Sequence, residues 1–163
     1  MHKNYGIGKD EQEIVDFCFD VFRWYYSEIV ELKPGVRELL EHLRTKGIKM
    51  CIASAAEGEM IRLVLGRHGV LDYFEGIVSC SQVGAGKDQP DVFLAAEKFL
   101  DTPREQTWVF EDSLLAIQSA KSVGFPVVGI YDPCSFGQER AAMLCDEYIK
   151  KGGSFAELLP KIC

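Results

Sequence analysis

Trp108-Val109-Phe110-Glu111-Asp112-Ser113 is the stretch from which the fold can be predicted. A short apolar run ends at two adjacent carboxylates and is followed by a hydroxyl and a helix-like pattern. Buried parallel strands of α/β proteins end in this way, and their carboxyl ends form the edge where such proteins keep their chemistry. The alternative is that Glu111 and Asp112 only begin a loop and cap the next helix. Other parts of the chain must decide between the two interpretations.

The length and composition of the chain restrict its class. With 163 residues, of which 47% are hydrophobic, it is long enough for one domain with a core. The net charge is −7 and no basic cluster occurs, so neither nucleic acid nor a membrane surface is an expected partner. The six cysteines lack metal-binding spacing, and no targeting peptide or transmembrane run is found. These features predict a cytoplasmic protein in a reducing compartment.

Apolar runs of strand length alternate with helical patterns along most of the chain. Short loops that contain glycine or proline separate them, and no repeat or low-complexity stretch interrupts the order. This order predicts an α/β fold with a doubly wound, Rossmann-like parallel sheet and flanking helices. The predicted strands are 48–53, 76–80, 107–110, 126–130 and 148–149, and the predicted helices are 34–46, 57–68, 91–99, 113–123, 137–144 and a short one capped by Ser154.

The segment from Asp10 to about Val30 is an unusually aromatic helical pattern. Its apolar residues recur at helical spacing, and Trp24 and Tyr26 widen the stripe. We expect this stripe to form a core face. The alternative is an exposed face that is large enough to drive association with a partner or a second copy.

Three predicted strand ends carry side chains that suit phosphate chemistry. Ser54 ends one strand, Lys87 lies shortly beyond the next, and Glu111 and Asp112 end the third. These ends meet at the same edge of a parallel sheet. A hydroxyl beside a lysine suits a phosphoryl group, and carboxylates suit Mg²⁺. Taken singly, Ser54 could instead cap a helix and Lys87 could be a solvated lysine.

Three stretches together resemble the haloacid dehalogenase superfamily, and within it the subgroup of β-phosphoglucomutase and small phosphatases. Met50-Cys51-Ile52-Ala53-Ser54 resembles the second motif of the family. The stretch from Gly86 to Phe93 resembles the third motif, and Val109 to Ser113 resembles the fourth. Each motif alone is weak, but three in order at suitable spacing are specific. With Leu32 to Val36, which resembles the entry to the second-motif strand, the resemblance covers roughly 32–132.

The resemblance implies a role for each site residue. Ser54, helped by the backbone N–H of Ala55, would bind the transferring phosphoryl group, and Lys87 would neutralise its charge. Asp112 would ligate Mg²⁺, and Glu111 would hold the ion directly or through water. The implied reaction is phosphatase-type hydrolysis of a small phosphorylated metabolite, with phosphomutase as the alternative within the family.

One part of the family's chemistry is missing from the sequence. The family uses an aspartate nucleophile in an Asp-x-Asp motif at the end of its first strand. No Asp-x-Asp occurs among the 163 residues. The resemblance therefore implies that 1–31 is a remnant of the family's helical cap and that 32–163 is an incomplete α/β core. The chain alone is expected to be inactive.

The missing first strand would lie between the strands that end at Ser54 and Asp112. The two flanking strands could close on each other, Asn4 to Ile7 could enter the gap, a second chain could contribute, or the natural protein could have upstream residues. We favour the last explanation.

A competing hypothesis is a non-catalytic phosphate- or protein-binding remnant. Such a remnant could form a homodimer through the aromatic helix or through a complemented sheet. A nucleotide-binding Rossmann module is a weaker alternative, because no GxGxxG motif follows a predicted strand.

Overall fold

Five short strands form two parallel sheets in the computed structural model, which describes residues 10–161. The first sheet pairs two strands, and the second contains three in the order β3-β4-β5. The α/β class with parallel strands and flanking helices is therefore confirmed, but the predicted single sheet is divided within 10–161. The strands are β1 Cys51–Ser54, β2 Gly76–Ser79, β3 Val109–Glu111, β4 Val127–Ile130 and β5 Glu147–Ile149.

The predicted helices occur in the predicted order, with small shifts of their ends, whereas the short helix Cys80–Val83 was not predicted and takes the place of the end of the predicted strand 76–80. Among residues 10–161, none is both long and apolar enough to cross a membrane. The helices are α1 Glu11–Trp24, α2 Val36–Thr45, α3 Gly58–Arg67, α4 Cys80–Val83, α5 Asp91–Leu100, α6 Leu114–Ser122 and α7 Gln138–Leu144. A π-helical segment, Tyr25–Ile29, continues α1, and 3₁₀ turns occupy Leu71–Tyr73, Arg104–Gln106 and Phe155–Leu158.

Two hydrophobic clusters cover the two faces of the strands. One is built on α2 and the turn Phe155–Leu158, and the other on α5, α6 and α7. The first cluster joins Met50, which lies just before β1, to Val128 of β4, and Ala53 of β1 packs against the second cluster, which contains Val127 of β4. Shared helical layers therefore hold the two sheets together, although no backbone ladder joins β1 to β3 in the described residues.

The strands next to the division are less buried than β4. In β4, Val127 and Val128 are fully buried, as expected for an inner parallel strand. In contrast, all four residues of β1 and the first two of β3 are only half-buried. This pattern is what we expect if each strand has one backbone edge without a neighbour. The suggestion that Asn4 to Ile7 enter the gap lies outside the described residues.

The aromatic stripe of α1 does not form a core face. None of its residues is buried, and Phe17, Phe22 and Trp24 are 66%, 57% and 57% exposed. That expectation from the sequence was wrong, because the described helices that cover the sheets are α2 and α5–α7, and α1 reaches the rest of the chain mainly through its C-terminal end. There the π-helical segment lies against α3, and Arg23 pairs with Glu59 at 3.2 Å.

The linker before α2 is fixed to the C-terminal turn. Gly35 precedes α2 with φ of +77°, a left-handed conformation that favours glycine. A Cβ at this position would lie 2.5 Å from the backbone nitrogen of Ala156. The backbone N–H of Phe155 also donates to the carbonyl of Pro34 at 2.9 Å.

We predict that Gly35→Ala lowers the free energy of unfolding by about 3 kcal/mol, from left-handed strain and overpacking together. Gly47→Ala is the matched control, since Gly47 has φ of +70° and a Cβ added there would meet nothing within 4 Å in the described part of the chain. This control should cost only about 1 kcal/mol. Urea unfolding measures both values, and equal losses would contradict the close packing of the linker on the C-terminal turn.

Candidate functional site

The buried carboxylate of Glu111 is the centre of the candidate site. Glu111 ends β3 and is only 4% exposed, and its Oε1 contacts Nζ of Lys87. Lys87 lies in the loop between α4 and α5, beside a turn that the N–H of Gln89 closes onto the carbonyl of Gly86 at 3.1 Å. A buried carboxylate is costly unless it is paired. The pair therefore fixes the third-motif loop against the end of β3.

The second oxygen of Glu111 organises the chain that follows. Glu111 Oε2 accepts hydrogen bonds from the backbone N–H groups of Asp112 at 2.8 Å and Ser113 at 3.2 Å. Both carboxylate oxygens of Glu111 thus have partners, and these bonds fix the direction in which Asp112 leaves the strand.

Asp112 is half-buried and has one oxygen available. Its Oδ2 accepts a hydrogen bond from the hydroxyl of Ser135 at 2.8 Å. No partner of Oδ1 is found within 10–161. The residue before α6 is Ser113, and no side chain caps this helix. Glu111 and Asp112 therefore do not act as the cap pair that the alternative interpretation required.

Ser54 lies at the carboxyl end of β1, in the other sheet. Its Oγ accepts a hydrogen bond from the N–H of Ala56 at 3.0 Å, which leaves the hydroxyl proton free to be donated. The residue before α3 is Glu57, so Ser54 does not cap that helix. Ala55 follows in the same turn. The structure brings Lys87, Glu111 and Asp112 into one connected group, and no bond within the described part of the chain links Ser54 to it.

Two residues near Asp112 were not identified from the sequence. Asp132 follows β4, and its carboxylate binds Nζ of Lys33 at 3.0 Å. The backbone N–H of Cys134, and then Lys33, hold the pKa of Asp132 below its usual value. Ser135 lies three residues further on and contacts Asp112. The rule that polar residues at strand ends meet at one edge would have found Asp132, but nothing in the sequence indicates the Ser135 contact.

The described residues contain no group of three or more His, Cys, Asp or Glu side chains that could hold a metal. Glu111 and Asp112 provide two carboxylates. Mg²⁺ commonly uses one or two carboxylates, substrate phosphate oxygens and water. The donor set therefore fits a magnesium ion that is completed by other ligands, and not a site enclosed by protein alone.

Residues 1–130 match the family model of the haloacid dehalogenase-like hydrolases. The chain belongs to this family. Among curated relatives of the chain, the phosphorylated carbohydrates phosphatase of Thermotoga maritima is 35% identical over 99 residues, which cover 61% of the chain and 46% of the relative. The β-phosphoglucomutase of Bacillus subtilis is 33% identical over 100 residues, which cover 61% of the chain and 43% of the relative. The chain spans less than half of either relative's length.

Solved structures of the family share the fold. A HAD phosphatase from Thermococcus onnurineus superposes with a TM-score of 0.69 at 25% identity, over 99% of this chain and 67% of that one. CbbY from Rhodobacter sphaeroides, solved in complex with phosphate, superposes with a TM-score of 0.77 at 24% identity, over 93% of this chain and 68% of that one. The second likeness shows the fold alone.

We predict that Lys87→Met lowers the free energy of unfolding by about 3 kcal/mol, because it leaves the buried Glu111 carboxylate without its cation. The double variant Lys87→Met/Glu111→Gln should recover most of this loss, since the unpaired charge is gone. Lys161→Met is the matched control: it breaks a 2.7 Å pair with Glu147 whose lysine is 48% exposed. This control should cost less than about 1 kcal/mol. Urea unfolding measures these free energies. Equal losses of stability in Lys87→Met and Lys161→Met would contradict the structural role of the Lys87–Glu111 pair.

Proposed function

We propose that the chain is part of a Mg²⁺-dependent phosphoryl-transfer enzyme, a phosphatase-type hydrolase of small phosphorylated metabolites. The observation that carries this proposal is the contact of Lys87 with the buried carboxylate of Glu111, to which the backbone N–H of Asp112 also donates. A cation therefore contacts one carboxylate at the end of β3, and a second carboxylate follows it directly in the chain. Phosphoryl transfer depends mainly on positioning and electrostatic stabilisation, and it needs these two kinds of group together.

The phosphate side of the site would use Ser54, Ala55 and Lys87. The Ser54 hydroxyl already accepts one hydrogen bond, and its proton is available to a phosphate oxygen. The N–H of Ala55 would donate from the same turn. Lys87 is 28% exposed, so its ammonium can pair with Glu111 and still reach a ligand at the surface. These donors would bind and orient the phosphoryl group.

The metal side of the site would use Asp112, with Glu111 behind it. The available Oδ1 of Asp112 would be the direct ligand of Mg²⁺. Glu111 would hold the ion either directly or through a water molecule. Bound Mg²⁺ would polarise the phosphoryl oxygens and offset their charge. The protein's own contribution would be to hold Asp112 in one orientation, which the bonds from Asp112 and Ser113 to Glu111 support.

We infer that the attacking group comes from residues that this sequence does not contain. No Asp-x-Asp occurs in it, and no ladder joins β1 to β3 in the described residues, where both strands are largely half-buried. We therefore propose that 32–163 is an incomplete core, that 1–31 is a remnant of a helical cap, and that turnover needs a further strand with the nucleophile. A hydrolase and a phosphomutase would differ in catalytic groups that this further strand would carry.

A second candidate function is a non-catalytic protein-binding or phosphate-binding remnant. The observation that favours it is the exposure of the aromatic residues of α1, among them Phe17, Phe22 and Trp24. A homodimer through this helix, or through a complemented sheet, would cover apolar surface that is costly to leave in water.

Isothermal titration of the 163-residue chain with inorganic phosphate tests the proposal. Binding should be measurable in the presence of Mg²⁺, and Ser54→Ala should weaken it about 10-fold, because a hydrogen bond to a charged group contributes about 1.5 kcal/mol. The matched control is Ser122→Ala, since among residues 10–161 the Ser122 hydroxyl bonds only the carbonyl of Ser119, at 2.7 Å within α6. This control should bind like the unaltered chain.

The same preparation should release no p-nitrophenol from p-nitrophenyl phosphate with Mg²⁺ present, because it lacks the aspartate nucleophile. Absence of Mg²⁺-dependent phosphate binding would count against the phosphoryl-transfer proposal. Clear turnover that Asp112→Ala abolishes would show instead that the chain is complete for catalysis.

A further inference from the structure

The loop between β4 and α7 contacts Asp112, the candidate metal ligand. Ser135, in this loop, donates its hydroxyl proton to Oδ2 of Asp112 at 2.8 Å, although the two residues are 23 positions apart. We propose that Ser135 is a positioning residue for Asp112, which holds the carboxylate in the orientation that binds the metal ion. This inference rests on the proposed function, because it concerns the same metal site.

The backbone on both sides of Ser135 is held by hydrogen bonds. Its N–H donates to the carbonyl of Asp132 at 3.1 Å, and the N–H of Cys134 donates to Oδ1 of Asp132 at 2.9 Å. The carbonyl of Ser135 accepts a hydrogen bond from Nε2 of Gln138 at 3.1 Å. These hydrogen bonds hold the backbone of Ser135 independently of the contact between its side chain and Asp112.

The residues that hold the loop are themselves anchored to distant parts of the chain. The hydroxyl of Tyr148, in β5, donates to Oε1 of Gln138 at 2.6 Å. Lys33, in the linker before α2, pairs with Asp132 at 3.0 Å. The loop is thus connected both to the sheet and to the linker that follows the helical segment. Its position relative to Asp112 depends on these contacts and not on the loop sequence alone.

The hydroxyl of Ser135 determines which oxygen of Asp112 is available. Oδ2 is occupied by Ser135, and Oδ1 has no partner within 10–161. A half-exposed aspartate without this bond would be free to rotate, and part of the binding energy would be used to fix it. Hydrogen bonds to charged acceptors are stronger than those between neutral groups. Loss of such an outer partner of a metal ligand commonly weakens metal binding about 10-fold to 100-fold.

Titration of the chain with Mn²⁺, followed by the electron paramagnetic resonance signal of the free ion, tests the inference. The solution contains a fixed concentration of inorganic phosphate. Ser135→Ala should weaken Mn²⁺ binding about 10-fold or more. Ser135→Thr, which keeps the hydroxyl, should restore most of the affinity, whereas Asp112→Asn should abolish specific binding. The control Ser122→Ala, which removes a hydroxyl on α6 remote from Asp112, should leave the affinity unchanged.

Each outcome bears on a separate claim. Unchanged affinity in Ser135→Ala, with binding still lost in Asp112→Asn, would overturn the role of Ser135 and leave the metal site intact. An equal loss in Ser135→Ala and Ser122→Ala, or no rescue by threonine, would also overturn it. If the unaltered chain binds Mn²⁺ no better than Asp112→Asn, the metal assignment in the proposed function fails, and the inference fails with it.

Discussion

The charge of Glu111 is the constraint on which the candidate site depends. A carboxylate that is 4% exposed has to be compensated, and here Lys87 and two backbone N–H groups do so. The compensation has geometric consequences. Lys87 draws the loop before α5 to the end of β3, and the bonds from Asp112 and Ser113 fix the exit from the strand. The same interaction that makes a buried charge tolerable therefore brings a cation and a second carboxylate to one edge.

The division of the sheet is the other main feature of the molecule. Helices on both faces pack across both sheets, so packing can hold β1 and β3 near each other without a ladder between them. Packing does not satisfy the backbone groups along the two edges. The half-burial of β1 and β3, compared with the full burial of Val127 and Val128, follows from this arrangement. Ser54 and Glu111 consequently lie at the ends of strands in different sheets, and Lys87 lies in the loop between α4 and α5.

Part of this architecture could be predicted from the sequence. Apolar runs that end at polar residues identified all five strands, and the rule that parallel strand ends meet at one edge anticipated that Lys87 lies close to Glu111 and Asp112, but not that Lys87 contacts Glu111. The functional roles of Ser54, Ala55, Lys87, Glu111 and Asp112 stay predictions. The pattern of α1 indicated its helical period but not its exposure, because periodicity does not say whether a partner surface exists. The bond from Ser135 to Asp112 depends on how a loop is anchored by Lys33 and Tyr148, which no local pattern indicates.

The central claim is that phosphate and a divalent metal ion bind together beside the Lys87–Glu111 pair. The most direct measurement is the ³¹P relaxation rate of inorganic phosphate with Mn²⁺, in the presence of the chain. We expect a faster rate than Mn²⁺ causes in protein-free buffer, loss of this enhancement in Asp112→Asn, and a reduced enhancement in Ser54→Ala. An enhancement of equal size in the unaltered chain and in Asp112→Asn would contradict binding of the metal ion at Asp112, because the metal ion near phosphate would then be held elsewhere.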